Sequence, residues 1–178
     1  MKKTDTPFDG LYILETYNFQ DERGGFRKLY NYDFFKENDL ETDFKEFYYS
    51  LNKKDVRRGM HFQIPAYDHV KVVYVSYGKI LDVVVDIRKA SSTYGKCFSI
   101  ELDDQKAQYL YIPKGFAHGF LSLQDNTIVN YAQTTCYNKE CDWGIDQNSI
   151  DFDWGIENPI VSGRDLTFPA FNDFNSPF

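Results

Sequence analysis

Apolar and polar residues alternate with a period of two along most of the chain, and helical periodicity is scarce. The pattern therefore predicts strands almost throughout. "DGLYILETY" reads as a first strand, followed by "FQDERGGF", a turn rich in charge and glycine. "LYNYDFFKEN" places Tyr30, Phe34 and Phe35 at helical spacing and is the one sizeable helix of the reading. "DFKEFYYSLNK" returns to β-type residues. The clearest hairpin pattern joins Val70–Tyr77 to Ile80–Ile87, with Gly78 and Lys79 as its turn. In the second arm Leu81, Val83, Val85 and Ile87 face one way, and Asp82, Val84, Asp86 and Arg88 the other. "KCFSIELD", "AQYLYIP", "GFLSLQD" and "TIVNYAQTTCY" add short strands, and the chain beyond Asn138 reads mostly as loop. The expected architecture is all-β: a sandwich, jelly roll or barrel of antiparallel strands with one or two short helices. The open mouth of such a barrel is a natural ligand site.

Composition narrows the function classes. A chain of 178 residues fits one domain with a real core. The net charge of -7 argues against non-specific nucleic-acid binding, and a phosphorylated ligand would need a local cluster of Arg and Lys. No apolar run approaches the roughly 18 residues of a membrane span, so no membrane association is expected. "MKKTDTPFDG" lacks the apolar stretch of a signal peptide. Cys97, Cys136 and Cys141 lack metal-type spacing and read as reduced thiols of a cytoplasmic protein.

Two histidines carry the candidate chemistry. "IPKGFAHGF" gives Pro113, Gly115 and His118 in the spacing P-x-G-x-x-H, which resembles the inward strand start of cupin barrels. In "RRGMHFQ", His61 alternates with Gly59 and Gln63, so it faces a polar barrel interior and can serve as acid or base near neutrality. Core filler, metal ligand and proton carrier all remain open for these imidazoles. A facial triad with distant carboxylates is possible in principle, but no ligand stands at the short spacing expected of a metal motif. Lys71 opens an apolar strand, either at an edge or held for an anionic group. Tyr131 shares a face with Gln133, Thr135 and Tyr137, where a phenol can donate a proton. Asp165 in "SGRDLTFP" is a turn carboxylate or the orienting member of a relay.

Taken together, "DERGGF", "RRGMHFQ", "GKILDVVVDIRKASSTYGK", "YLYIPKGFAHGF", "NYAQTTCY" and "SGRDLTFP" resemble the dTDP-4-dehydrorhamnose 3,5-epimerases, cupins without a metal or other cofactor. The resemblance implies a cupin-type jelly-roll barrel that moves protons at C3 and C5 of a nucleotide-diphosphate-linked 4-keto-6-deoxy sugar. It implies His61 as base, Asp165 as its dyad partner, Lys71 beside O4, and Tyr131 as proton donor from the opposite face. Substrate contacts map onto Arg23, Phe26, Arg58, Gln63, His118, Tyr137 and Arg164, of which Arg23, Arg58, His118 and Arg164 are implied as the diphosphate contacts. It further implies a single domain over residues 1–178, with residues 1–50 as an arm and contact region that enters the partner's pocket in a homodimer.

Strand parity favours Arg57 over Arg58 as the inward residue, unless Gly59 forms a bulge. "EFYYSLN" stands where the family often has Gln-Asp-Asn-His-Ser, and Lys28 where a glutamate is common, which leaves the nucleobase open. Trp143 either stacks on a base or closes the barrel. The alternative function is a non-epimerising cupin: a nucleotide-sugar ketoisomerase, a sugar-binding module or a metal-dependent oxygenase.

Overall fold

The computed structural model describes all 178 residues. The strands are β1 (Lys2–Asp5), β2 (Tyr12–Glu15), β3 (Asn18–Asp21), β4 (Gly24–Arg27), β5 (Glu46–Asn52), β6 (Arg57–Gln63) and β7 (Lys71–Tyr77). They continue with β8 (Lys79–Asp86), β9 (Cys97–Asp103), β10 (Gln108–Ile112), β11 (Phe116–Ser122), β12 (Thr127–Gln133) and β13 (Asp142–Gly144). The single α-helix, α1 (Tyr32–Glu37), starts at Asn31, whose side chain accepts from the Phe34 N–H at 2.9 Å. No helix is long and apolar enough to cross a membrane.

Two antiparallel sheets lie face to face. One runs β1-β2-β10-β7-β12-β5, the other β13-β6-β11-β8-β9, and β3 with β4 forms a separate hairpin. This is the jelly-roll arrangement anticipated from the strand pattern. The inner faces meet in a core that includes Val73, Leu110 and Val129 from the first sheet and Ile80, Val84 and Phe120 from the second. The outer face of the second sheet is covered by the C-terminal segment, where Ile145, Ile150, Trp154 and Phe174 pack on Met60, Val83 and Val85. Burial on both faces explains why the middle of β8 is continuously apolar. On the outer face of the first sheet, Phe35 of α1 and Leu40 pack with Leu14, Val72 and Tyr111.

Two sequence expectations need correction. Val70–Tyr77 and Ile80–Ile87 do not form a hairpin: β7 pairs with β10 and β12, while β8 pairs with β9 and β11. The chain turns a corner between sheets at Gly78, whose φ is +84°, close against Thr127. Period-two alternation says which face a residue takes, not which strand lies beside it. The first strand is also earlier than expected, because "KKTD" in β1 has no apolar alternation yet pairs with β2 at the sheet margin. Of residues 1–50, β1, β2 and most of β5 belong to the first sheet, and the β3–β4 hairpin stands apart and exposed.

Candidate active site

A cavity of about 430 Å³ opens between the two sheets, and both candidate histidines line it. His61 on β6 and His118 on β11 are directly paired residues of one sheet. Tyr131 and Lys71 enter the same cavity from β12 and β7 of the other sheet. The base and acid candidates therefore occupy opposing walls.

A bulge sets the polarity of β6. Between the pairs His118↔His61 and Phe120↔Arg58 the register slips, because β6 uses one more residue than β11. Gly59 takes φ +125° there, and a Cβ on it would stand 2.5 Å from the Gly119 Cα. The bulge turns Arg58 into the cavity, where its Nε donates to Asn52 Oδ1 at 2.8 Å. Arg57 points out beneath Trp154 and donates to Asn148. The choice that strand parity left open thus falls to Arg58.

His61 Nε2 lies 2.9 Å from Asp165 Oδ1, and Asp165 Oδ2 accepts from the Gly59 N–H at 3.2 Å. Burial raises the Asp165 pKa, but hydrogen bonds from His61, Gly59 and Ser162 outweigh it and hold the carboxyl below its ordinary value. With Asp165 ionised, the imidazole nitrogen that faces it is the donor, so the other ring nitrogen is the one turned to the substrate side of the ring. The ring of Phe168 stands edge-on to His61 at 5.7 Å. It fits because Gly144, paired with His61 across β13 and β6, has no Cβ to meet it.

Lys71 is buried, and burial pushes its ammonium pKa down to about 8 against the opposing pull of Asp82 and Asp142. His118 is buried too and pairs with Asp82 at 2.8 Å. Burial lowers its pKa despite that carboxylate. Tyr131 is 7% exposed. Its hydroxyl meets Ser50 Oγ at 3.2 Å, and burial raises its pKa, so the phenol holds a proton at neutral pH.

The remaining candidates divide. Arg164 lines the cavity, with Nη2 2.7 Å from Asp142 Oδ2 and its guanidinium over Phe168. Tyr137 lines it as an exposed side chain. Gln63 lines it while its amide holds Tyr67, Cys136 and Asn138. Arg23 and Phe26 are not brought to this cavity: Arg23 pairs with Asp21 on the hairpin, and Phe26 is exposed. Trp143 sits on the edge strand β13, 44% exposed, and lines no part of the cavity.

Sequence reasoning passed over His69 and Asp82 as site residues, and treated Tyr48 and Ser50 only as part of a stretch bearing on the nucleobase. His69 lines the cavity two residues before Lys71, with its pKa driven to about 3 by burial and by the nearby ammonium. The same period of two that turns Lys71 inward was the available signal. Asp82 alternates with Val84 on the core-facing side of β8, where an acidic residue needs a partner.

Comparison with known proteins places the chain in a family. The sequence profile of the dTDP-4-dehydrorhamnose 3,5-epimerase family matches residues 5–173. The dTDP-4-dehydrorhamnose 3,5-epimerase of Methanothermobacter thermautotrophicus is 42% identical over 94% of this chain and 93% of its own. The crystal structure of that enzyme from Elizabethkingia anophelis superposes with a TM-score of 0.91 at 36% identity, covering 99% of both chains. The dTDP-6-deoxy-D-glucose-3,5-epimerase of Legionella pneumophila, in complex with dTDP-4-keto-L-rhamnose, gives a TM-score of 0.92 at 30% identity, over 98% of this chain and 94% of its own. With a cupin jelly roll, a matching profile over nearly its whole length and relatives at this identity, the chain belongs to the dTDP-4-dehydrorhamnose 3,5-epimerase family.

Proposed function

We propose that the protein epimerises C3 and C5 of a dTDP-linked 4-keto-6-deoxy sugar, and that His61, Lys71, Tyr131 and Asp165 carry the reaction. The observation that supports this most is the placement of His61 and Tyr131 on opposite sheets around one cavity. The C4 ketone acidifies the neighbouring C–H bonds. The free nitrogen of His61 takes one such proton, and the electron pair moves to O4 as an enolate. The Lys71 ammonium offsets that charge, and burial strengthens the interaction. Tyr131 then returns a proton to the opposite face of the carbon, which inverts it. The phenolate regains a proton and the imidazolium loses one to solvent, so no proton is gained or lost. The same cycle serves the second carbon.

Arg58 and Arg164 suit the diphosphate, as guanidinium forks match phosphate oxygens. His118 is fully buried beside His61 and bonded to Asp82, which favours a sugar hydroxyl over the diphosphate as its contact. Gln63 and Tyr137 form the wall around the substrate. Arg23 and Phe26 fit a homodimer in which the β3–β4 hairpin reaches the partner's cavity. An exposed apolar row on the edge strand β5 supports that assembly: Phe47 at 71%, Tyr49 at 68% and Leu51 at 60% exposure. The three cysteines are free thiols, in keeping with a cytoplasmic setting.

Incubation with the dTDP-linked 4-keto-6-deoxy sugar in heavy water tests the reading. Deuterium is expected at C3 and C5 together with inversion. Tyr131→Phe is expected to retain exchange while losing inversion, and His61→Ala to lose both. Absence of deuterium at both carbons with the wild-type protein would overturn the proposal.

A further inference from the structure

The proton-donating wall contains a second phenol that the mechanism above does not use. Tyr48 of β5 is the direct cross-strand partner of Tyr131 on β12. The two rings stack with centroids 4.6 Å apart and planes inclined by 16°. On its other flank, Tyr131 is paired with Val73 of β7, and His118 approaches its ring edge-on at 6.4 Å from the facing sheet. Because β5 is the outermost strand of its sheet, nothing but Tyr48 covers that flank of Tyr131 within the sheet. Tyr48 is itself held at its far end. Its hydroxyl donates to Gln133 Oε1 at 3.2 Å, and Gln133 Nε2 donates to Glu46 Oε2 at 2.6 Å. Glu46 and Gln133 are the next inward cross-strand pair of the same two strands. A chain of hydrogen bonds therefore fixes the ring that fixes Tyr131.

The physical need for such a buttress is clear. Rotation about the Cα–Cβ bond sweeps a tyrosine ring and its hydroxyl sideways, whereas turning the ring about Cβ–Cγ leaves the hydroxyl in place, so a neighbour stacked on the ring face is what resists displacement of the donor. The Tyr131 hydroxyl has one hydrogen-bond partner, Ser50 Oγ, itself a short side chain on the edge strand. Proton return to a carbon is sensitive to the position of the donor, while proton removal by His61 takes place at the facing sheet and does not pass through Tyr48.

We propose that Tyr48 is a positioning residue: its ring, stacked on Tyr131, holds the donor phenol in line with the carbon and so decides whether the enolate is reprotonated with inversion or returned with retention. The inference rests on Tyr131 being the proton donor. It makes Tyr48 a determinant of product outcome without contact to the reacting atoms.

The test compares two readouts on the full-length protein in heavy water with the dTDP-linked 4-keto-6-deoxy sugar: deuterium entry at C3 and C5, and inversion at each. In Tyr48→Ala, inversion is expected to fall about tenfold or more while deuterium entry changes little, so the ratio of exchange to inversion rises. Tyr48→Leu, which keeps apolar volume at the sheet edge without an aromatic face, is expected to raise the ratio in the same direction. Tyr48→Phe keeps the stack and is expected to return the ratio to within about twofold of wild type. In a Tyr131→Phe background, where inversion is already lost, Tyr48→Ala should change deuterium entry by less than about twofold, since the residue acts through the phenol already removed. Circular-dichroism melts establish that each variant is folded. A proportionate loss of exchange and inversion in folded Tyr48→Ala or Tyr48→Leu, or no change in either, overturns the inference and leaves the epimerase reading standing. A wild-type protein that exchanges neither carbon overturns both.

Discussion

At His61 the proposed chemistry depends on which nitrogen holds a proton, and Asp165 decides it. An ionised carboxylate 2.9 Å from one ring nitrogen keeps that nitrogen protonated and the other free. Asp165→Asn should therefore leave the fold intact and slow deuterium entry at both carbons by ~10²–10⁴-fold, measured by proton NMR of the sugar. Equal exchange in the variant would remove Asp165 from the mechanism. Lys71 makes the opposite bargain with stability. Its folded pKa is about 8 against an ordinary 10.5, so the folded state resists protonation that the unfolded state accepts. Below the folded value both states are protonated and the penalty is complete, on the order of 3 kcal/mol. The penalty fades as pH rises from about 8 toward 10.5. Lys71→Met should consequently be more stable than wild type in urea melts near pH ~7, and the gap should close by about pH 10. Exchange by wild-type protein should decline as pH passes about 8, where the ammonium that faces the enolate is lost. A gap that does not vary with pH would show that Lys71 is not buried as a charge.

Elements place these residues through glycines as much as through strands. The Gly59 bulge sends Arg58 inward, and the missing Cβ of Gly144 admits the Phe168 ring against His61. Gly144→Ala would drive a methyl group into that ring. Overpacking of this kind costs about 1–3 kcal/mol, and displacement of His61 should slow exchange by ~10-fold or more. A melt and an exchange assay on the same sample check both, and an unchanged exchange rate would show that Phe168 does not set the position of His61. Much of the element level was legible beforehand. The alternation in "GKILDVVVDIR" correctly assigned the two faces of β8, and "RGMHFQ" placed His61 inward. The hairpin drawn across Gly78 failed because a corner between sheets and a tight turn within one sheet present the same local pattern. Only non-local pairing of β7 with β10 and β12 tells them apart.

At the scale of the whole molecule, two exposed features are the surfaces that the proposed homodimer would use. The hairpin that carries Arg23 and Phe26 stands away from its own cavity, and Phe47, Tyr49 and Leu51 line the outer side of the edge strand whose inner side carries Tyr48 and Ser50. An edge strand with an apolar outer row invites pairing unless something covers it. Tyr49→Asp would place an unpaired charge in such an interface, at a cost of several kcal/mol. Light scattering is expected to find a dimer for the wild-type protein and a monomer for the variant. A variant of unchanged mass would exclude this row as the contact.

Residue types and their period along the chain determined that the protein is all-β, which side of most strands turns inward, and that imidazole, ammonium, phenol and carboxylate were available for acid–base work. Those properties are local, since a pleated strand alternates whatever lies beside it. The tertiary structure alone decided that β7 and β8 part into different sheets, that Gly59 bulges and so turns Arg58 and not Arg57 into the cavity, and that Tyr48 backs Tyr131, while the Asp165–His61 contact had been implied by the family resemblance and not by any period in the chain. Each of these joins residues far apart in the chain or hangs on one glycine's backbone, and no period in the sequence records which distant neighbour will arrive.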